Sequence, residues 1–205
     1  MTELRWDGKY DAQGRKTAPL RLSLPFQTVE TVNASAADRV RTLDLFAAGR
    51  PAEWRNRLIW GDKRYVLPSL LPELAGTVDL IYIDPPFRTE EDFSFTTNLP
   101  ESGEAFTKAP SLIEQKAYRD TWGRGLDSYL QWFYETAIVL RDLLSDTGSI
   151  YVHIGLNVAH YARAIMDEVF GFENYVNEIS WQRTNARSSK VQWPRIHEII
   201  PLYYK

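Results

Sequence analysis

Apolar positions in this chain fall into two patterns, short continuous runs and longer segments with helical spacing. The continuous runs predict buried strands at 58–60, 78–83, 149–155, 175–182 and 197–204. Apolar residues that recur at i, i+3, i+4 and i+7 predict amphipathic helices over 130–144 and 158–169. Buried strands that alternate with helices are typical of an α/β fold, with a mostly parallel sheet covered by helices on both faces.

Capping residues predict where three of the helices begin and end. Asp62 is the expected N-cap of a helix that Pro68 and Pro72 kink or break. Ser128-x-x-Gln131 has the spacing of a capping box, and Asp146-Thr147-Gly148 is expected to end the helix that this box opens. Asn157 is predicted to cap the following helix and Gly171 to end it.

Two segments lack a clear apolar period. Residues 1–57 are predicted to be an N-terminal extension that packs on the later core, with a short helix over 35–46. Residues 88–127 are predicted to form a long loop, and a loop of that length in a compact domain usually has a function or is disordered.

The composition places the chain among soluble globular proteins. It has 205 residues, of which 44% are hydrophobic and 25% charged. No apolar run approaches the ~18 residues of a membrane span. The amino-terminal sequence MTELRWDGKYD lacks the apolar region of a secretory signal. A cytoplasmic protein that does not enter the membrane is therefore expected.

The scarcity of metal-binding and nucleophilic side chains excludes several enzyme classes. The sequence has no cysteine, three histidines and no His-x-x-x-His pair, so neither a thiolate zinc site nor a zinc hydrolase is expected. The absence of a G-x-x-x-x-G-K-[ST] motif excludes a P-loop nucleotidase. No metal site is predicted, and His153 in a strand and His160 on a helix are interpreted as structural.

Asp84-Pro85-Pro86-Phe87 directly follows the predicted strand 78–83 and is the most informative motif. Asp-Pro-Pro-aromatic arises by chance in roughly one chain in several hundred of this length, given average composition. Prolines end the strand because they cannot donate to a ladder. Ligands of parallel sheets bind beyond the carboxyl ends of strands, where Asp62 is also expected. The simpler alternative is an Asp-Pro turn without a catalytic role.

The segment LIYIDPPF resembles the catalytic motif of DNA methyltransferases that act on exocyclic amino groups. The order of the segments NRLIWGD, LIYIDPPF, SIYVHIG and NEISWQRT, over residues 56–205, is similar to the beta-ordered, circularly permuted group. That group includes the modification subunits of type III restriction systems. The resemblance implies a Rossmann-like, S-adenosylmethionine-dependent methyltransferase fold. It also divides the chain into an extension (1–57), a catalytic part (58–182), and a last strand that begins the target-recognition region (183–205).

The resemblance implies a role for each residue of the motif. Asp84 and the backbone carbonyl of Pro85 would accept hydrogen bonds from the amino group, which localises its lone pair for attack on the methyl donor. Pro86 would stiffen the turn, and Phe87 would stack on a base that is rotated out of the duplex. The methyl donor implied is S-adenosylmethionine, with the cofactor-binding residues Gly61, Asp62, Asp84 and Pro85. Related proteins often have Gly-Asp-Asn where this chain has Gly-Asp-Lys, so the role of Lys63 stays open.

The charge balance reverses near the end of the chain. Residues 181–205 contain five basic side chains and one acidic side chain, interleaved with tryptophan and tyrosine. Such a segment favours binding to the phosphates of double-stranded DNA. The predicted DNA-binding residues are Arg183, Asn185, Arg187, Lys190 and Arg195. The alternative is a solvated connector with ordinary surface charge.

These features predict an adenine-N6 DNA methyltransferase of a restriction-modification system. The implied partners are double-stranded DNA with a flipped base, a restriction subunit and a second copy of the chain. Cytosine-N4 methylation and a non-catalytic DNA-binding remnant stay open as alternatives. Cytosine-C5 methylation is excluded because it needs a cysteine nucleophile. The Phe-x-Gly-x-Gly cofactor loop of the family does not occur in these residues, so we expect the amino-terminal part of a longer enzyme, inactive alone.

Overall fold

The secondary structure confirms the α/β class. The computed structural model describes residues 3–30, 56–86, 95–98, 105–108, 125–183 and 196–205, the two four-residue ranges by backbone alone. Its elements, in chain order, are α1 (Lys63–Leu74), β1 (Val78–Ile83), β2 (Phe95–Asn98), β3 (Ala105–Lys108), α2 (Leu126–Leu143), β4 (Leu144–Val152), α3 (Ala159–Phe170), β5 (Tyr175–Gln182) and β6 (His197–Tyr204). Among the described residues, no helix is long and apolar enough to cross a membrane.

The main sheet has four strands in the order β1-β4-β6-β5 and is partly parallel. β1 pairs with β4 in parallel, whereas β6 pairs with both β4 and β5 in antiparallel. Parallel neighbours need a crossover connection, which α2 supplies between β1 and β4. β5 and β6 follow one another in the chain and run in opposite directions as neighbours in the sheet. The described strands therefore form a mixed sheet, not the mostly parallel sheet that the sequence predicts.

The core lies between one face of this sheet and the helices α2 and α3. Side chains alternate between the faces of a strand, and the core positions are almost wholly apolar. From the sheet, Ile81, Ile150, Val152, Ile199 and Tyr203 enter the core. From the helices come Phe133, Ala137, Leu140, Ala162, Ile165 and Phe170.

The strand predicted at 58–60 is wrong. Residues 56–60 form no strand, and the side chains of Leu58 and Trp60 are 100% and 98% exposed. An apolar run becomes a strand only where a neighbour satisfies its backbone N–H and C=O groups. Among the described strands, β1 pairs only with β4, and none pairs with residues 56–60.

The region predicted as a long loop, 88–127, contains two strands and the start of α2. β2 and β3 pair in antiparallel as a separate two-stranded sheet. Because α2 begins at Leu126, Ser128 lies inside its first turn, and the capping box is wrong. The Ser128 hydroxyl instead donates to the Gly125 carbonyl at 2.9 Å.

The boundary between α2 and β4 comes earlier than predicted. α2 ends at Leu143, and β4 begins at once. β4 pairs with Val78 at Leu144 and resumes its ladder where Leu80 pairs with Ser149, so the residues between leave the ladder. A Cβ on Gly148 would lie 2.8 Å from the Val78 carbonyl oxygen, so only glycine fits this close approach.

The remaining caps are partly as predicted. Gly171, with a φ of 97°, ends α3 as expected, but the N-cap of α3 is Val158 rather than Asn157. Pro68 and Pro72 lie inside α1 and do not break it. The Ser69 hydroxyl donates to the Tyr65 carbonyl at 2.7 Å, which supports the turn around Pro68.

The described part of the predicted extension, within residues 3–30, packs on the core. Trp6 is buried there, and its indole N–H donates to the Gln131 side chain on α2 at 2.8 Å. The Lys9 side chain is 0% exposed, with its ammonium 2.6 Å from Glu168 on α3 and 2.9 Å from Glu3. The helix predicted over 35–46 lies outside the described residues.

Candidate active site

Strand directions bring four polar side chains to one edge of the main sheet. β1 and β4 run in parallel, and β5 runs with them because β6 is antiparallel to both β4 and β5. The carboxyl ends of β1, β4 and β5 therefore meet the start of β6. Asp84, His153 and Arg183 directly follow the ends of β1, β4 and β5. Glu198 is the second residue of β6.

The four side chains form a row of alternating acid and base. The Asp84 Oδ1 lies 3.6 Å from the His153 Nδ1, and the His153 Nε2 lies 2.8 Å from the Glu198 Oε2. The Arg183 Nη1 lies 3.1 Å from the Glu198 Oε1. The side chains of His153 and Glu198 are only 16% and 10% exposed, whereas those of Asp84 and Arg183 are 60% and 55% exposed. The row is thus a shielded pair between two ends in contact with water.

Strand alternation explains why these residues share a face. Ile81, Val152 and Ile199 point into the core. Their strand neighbours of opposite parity point to the other face, which carries His153 and Glu198. The backbone fixes this register, because His153 N donates to the Ile83 carbonyl at 2.9 Å and Ile154 N donates to the Ile199 carbonyl at 2.9 Å.

The turn after Asp84 is a stiff backbone corner. Pro85 is buried and Pro86 is half-buried, while Asp84 is exposed. Neither proline has an N–H group, so neither competes for nearby carbonyl oxygens. Phe87 lies outside the described residues, so its stacking role stays a prediction.

Asp62 combines a capping role with room for a second contact. It is the N-cap of α1, where its Oδ1 accepts from Arg64 N at 2.8 Å. The side chain is exposed, and the cap uses only one carboxylate oxygen, so the other can accept from a ligand. Gly61, before it, is also exposed. These residues fit a ligand that presents an amino or hydroxyl donor.

Lys63, which the sequence left open, joins two helices. Its ammonium donates to the Trp132 carbonyl at 3.1 Å and to the Thr136 hydroxyl, and it lies 4.1 Å from the centre of the Trp132 ring. Burial lowers the pKa of Lys63 to about 7, while the nearby charges of Glu135 and Asp62 act in the opposite direction. Lys63 therefore holds the start of α1 against α2.

The structure brings together only some of the predicted site residues. Arg183 lies at the edge but turns to Glu198. Among the described residues, no hydrogen bond or ion pair joins Asp62 to Asp84. The other four predicted DNA-binding residues lie outside the described residues, namely Asn185, Arg187, Lys190 and Arg195.

Sequence reasoning missed the contacts of His153 and Glu198. A signal was present, since each is a polar residue within an otherwise apolar strand, at a position whose parity opposes the core. His153 adjoins Val152 in SIYVHIG, and Glu198 adjoins Ile199 in HEIIPLYY. The pairing itself could not be predicted, because it depends on β6 lying beside β4.

Comparison with known proteins identifies the family of this site. The family model described as DNA methylase (N6_N4_Mtase) matches residues 78–205, which include the Asp84 turn and the strands β4, β5 and β6. A solved structure, the M1.HpyAVI–SAM complex, is 14% identical with a TM-score of 0.34, and the match covers 62% of this chain and 44% of that chain.

Curated relatives carry the same kind of name. The type II methyltransferase M.EcaI of Enterobacter cloacae is 29% identical over 73% of this chain and 29% of its own length. The StyLTI Mod subunit of a type III restriction-modification enzyme of Salmonella typhimurium is 33% identical over 65% of this chain and 21% of its own length. The EcoP15I Mod subunit of Escherichia coli is 29% identical over 74% of this chain and 24% of its own length. This chain thus spans about a quarter of their length, and it belongs to the N6/N4 DNA methylase family.

Proposed function

We propose that the protein methylates DNA, transferring a methyl group to the N6 amino group of adenine. The observation that carries this proposal is the exposed carboxylate of Asp84, which lies at the carboxyl end of β1 and is followed by two prolines. That is the edge of a sheet at which ligands of α/β proteins bind. The family of the chain supports an amino group as the methyl acceptor.

The residue types suit the chemistry of an amino group. The exocyclic nitrogen of adenine is a weak nucleophile because its lone pair is delocalised into the ring. Asp84 would accept a hydrogen bond from one N–H and the Pro85 carbonyl from the other, which returns electron density to nitrogen. Two acceptors held by a stiff corner also orient the nitrogen, and orientation can supply ~7–11 kcal/mol of the barrier reduction.

The donor of this family is S-adenosylmethionine, which supplies an electrophilic methyl group on sulfur. Asp62 is the residue of this chain that would accept from an amino group of the donor, through the carboxylate oxygen that its cap leaves unused. Gly61 lets the backbone approach closely. Asp84 and Pro85 would border the reacting methyl group from the other strand end.

The basic segment that begins at Arg183 and the names of the relatives support DNA and protein partners. Arg183 begins the basic segment that the sequence predicts to hold phosphates, and its position at the site edge supports that role. The Mod subunits among the relatives are named as parts of restriction-modification enzymes. We therefore propose a restriction subunit and a second copy of the chain as partners, in the cytoplasm.

The test is methylation of DNA by the full natural protein. Labelled S-adenosylmethionine and DNA from a strain that lacks methylases should give labelled DNA, and digestion followed by mass spectrometry should identify N6-methyladenine. N4-methylcytosine would instead select the cytosine alternative, which the family covers equally. A folded protein that binds the donor and labels no DNA in any sequence context would contradict the proposal.

A further inference from the structure

We propose that Asp84, His153 and Glu198 form a proton relay that removes the amino proton released by methyl transfer. His153 is a positioning residue in this relay, since it acts through Asp84 rather than on the base. The inference deepens the proposed function and rests on it. It rests equally on the row of contacts at the edge of the sheet.

The proton balance of the reaction requires an acceptor for one amino proton. Methyl transfer forms an N–C bond and breaks the S–C bond of the donor, whose electron pair stays on sulfur. The amino nitrogen then has four bonds and a positive charge until one N–H proton leaves. Asp84 is the acceptor nearest that proton, so it takes the proton first. A protonated Asp84 no longer holds the next amino group well, because one of its oxygens has become a donor.

The contacts of His153 make it the next acceptor. Glu198 faces Arg183 with Oε1 at 3.1 Å and His153 with Oε2 at 2.8 Å, and in the proposed relay it accepts a hydrogen bond from both. The proton of the neutral ring is therefore on Nε2, and the Nδ1 lone pair points toward Asp84. Transfer from Asp84 to Nδ1 makes an imidazolium between two carboxylates, a charge arrangement that stabilises it. Once the methylated amino group has left, the imidazolium returns the proton to Asp84, whose 60% exposed carboxylate passes it to solvent.

The His153 ring is held in place, whereas the Asp84 side chain is free to rotate. A rotating donor beside a fixed acceptor suits proton transfer. The His153 ring is shielded and held by Glu198, and its backbone N–H is bonded to the Ile83 carbonyl at 2.9 Å. Asp84 is 60% exposed, so its side chain can rotate. The present 3.6 Å separation of Asp84 and His153 is longer than a hydrogen bond. Catalytic hydrogen bonds commonly shorten when substrate binds.

Stability alone does not explain why polar side chains occupy these shielded positions. Polar groups buried in a strand are unfavourable unless they are paired, and apolar replacements of a buried ion pair are often as stable. Among the groups of the described residues that face His153 are Asp84 and Tyr82, with the Tyr82 ring centre 6.5 Å away, and Glu198 from β6, which also contacts Arg183. A charged or titratable partner thus stands on each side of the ring.

The first experiment compares His153→Gln and Glu198→Gln with the wild type in the full natural protein. His160→Gln is the matched control, because His160 is an exposed histidine on α3. We expect kcat of His153→Gln to fall by about 10- to 100-fold, near or below the lower range for acid–base groups, with little change in KM for DNA. Added imidazole should partly restore the activity of His153→Ala, which a loss of packing alone would not allow. His160→Gln should match the wild type.

A double variant separates a relay from an independent effect. If His153 acts through Asp84, adding His153→Gln to Asp84→Ala should cause no further loss of kcat. Residues that act independently would give losses that multiply. Multiplied losses, or a His153→Gln enzyme with the kcat of the wild type, would overturn the relay.

An NMR measurement tests the geometry without enzyme turnover. With ¹⁵N-labelled histidine, long-range ¹H–¹⁵N correlation spectra should show the proton of neutral His153 on Nε2, and Glu198→Gln should alter that signal while leaving His160 unchanged. A neutral ring with its proton on Nδ1 would overturn the relay. If the wild-type protein transfers no methyl group at all, the proposed function fails and the relay fails with it. If the wild type is active and the glutamine variants match it, only the relay is wrong.

Discussion

The two faces of the four-stranded sheet contrast sharply, although the same strands supply both. On the face toward α2 and α3, Ile150, Val152 and Tyr203 are each 0% exposed. On the opposite face, Leu80, Tyr82 and Tyr204 are 60%, 57% and 51% exposed. The open face also carries the polar row that begins at Asp84. Adjacent residues along one strand therefore alternate between the buried core and the exposed face.

Successive residues of a strand point to opposite faces of the sheet, so residues that stabilise the fold alternate with residues that can take part in chemistry. Core positions stabilise the fold through buried apolar area and tight packing. Exposed positions of the open face, such as Leu80, Tyr82 and Tyr204, contribute little burial and are available to ligands or other parts of the protein. Substitutions on the two faces should therefore change different measurements, which the following experiments exploit in order of decreasing effect.

The largest expected effect is on the stability of the covered face. Ile150→Ala should lower the free energy of unfolding by about 2–5 kcal/mol, because it removes buried methyl groups and leaves a cavity. Urea denaturation followed by tryptophan fluorescence measures this loss. Leu80→Ala, on the open face, is the matched control and should cost less than about 1 kcal/mol. Equal losses would show that the open face is packed against something in the full protein.

Asp84→Ala should greatly reduce turnover and barely change stability, the reverse of Ile150→Ala. We expect turnover in the full natural protein to fall by at least ~10²-fold, because the acceptor of the amino group is lost. Stability should change by no more than about 0.5 kcal/mol, because the side chain is exposed. Labelled-methyl transfer and urea denaturation on the same sample measure both. A folded variant with near wild-type turnover would remove Asp84 from the chemistry.

Phe87→Ala should weaken productive binding of the target base by ~1–3 kcal/mol, the usual contribution of an aromatic stack. Phe87→Tyr and Phe87→Trp keep an aromatic face and should be tolerated. Fluorescence of 2-aminopurine at the target position reports the extruded base. If Phe87→Ala extrudes and methylates like the wild type, the ring belongs to the packing rather than to the open face.

The last expected effect is a pH dependence of stability that arises from Lys63, between α1 and α2. Its pKa is lowered to about 7 by burial, against an ordinary 10.5, so above pH 7 the unfolded chain binds a proton that the folded chain has released. The free energy of unfolding should therefore rise with pH between about 7 and 10 through this residue. The Trp132 ring, which favours the charged form, reduces the slope.

Urea denaturation of the wild type and Lys63→Met across pH 6–9 isolates this contribution, because all other groups are common to both proteins. The difference in unfolding free energy between them should change with pH in the direction stated. A constant difference would show that Lys63 keeps its ordinary pKa. Arg64→Met, at an exposed neighbouring position, is the control.

Local patterns predicted the parts of the fold that depend on local interactions. The runs at β1, β5 and β6, the Asp62 cap and the Gly171 stop all follow from adjacent residues. Residues 58–60 have the same apolar character as β1, but a strand also needs a partner, and the sequence does not show whether one lies beside it. The false capping box at Ser128 has a similar cause, since contacts distant in sequence decide where α2 begins.

The candidate site also has a part that local sequence predicts and a part that depends on distant contacts. Asp84, Pro85 and Pro86 form a contiguous motif, so their position at a strand end could be predicted. His153 and Glu198 are far apart in sequence and meet only because β6 lies between β4 and β5. Strand order of this kind is set by the whole sheet. The basic residues after Arg183 remain predictions for DNA binding.

The place of β6 in the sheet has a consequence for how a ribosome makes this protein. β5 leaves the ribosome before β6, yet among the described strands β5 joins the sheet only through β6. At about 5–20 residues per second, the nascent chain holds β5 unpaired for on the order of a second before β6 can pair with both neighbours. During that interval the slot that Tyr203 later fills beside Phe170 is open to water. A stalled or truncated translation product should therefore be a preferred client of hydrophobic-binding chaperones.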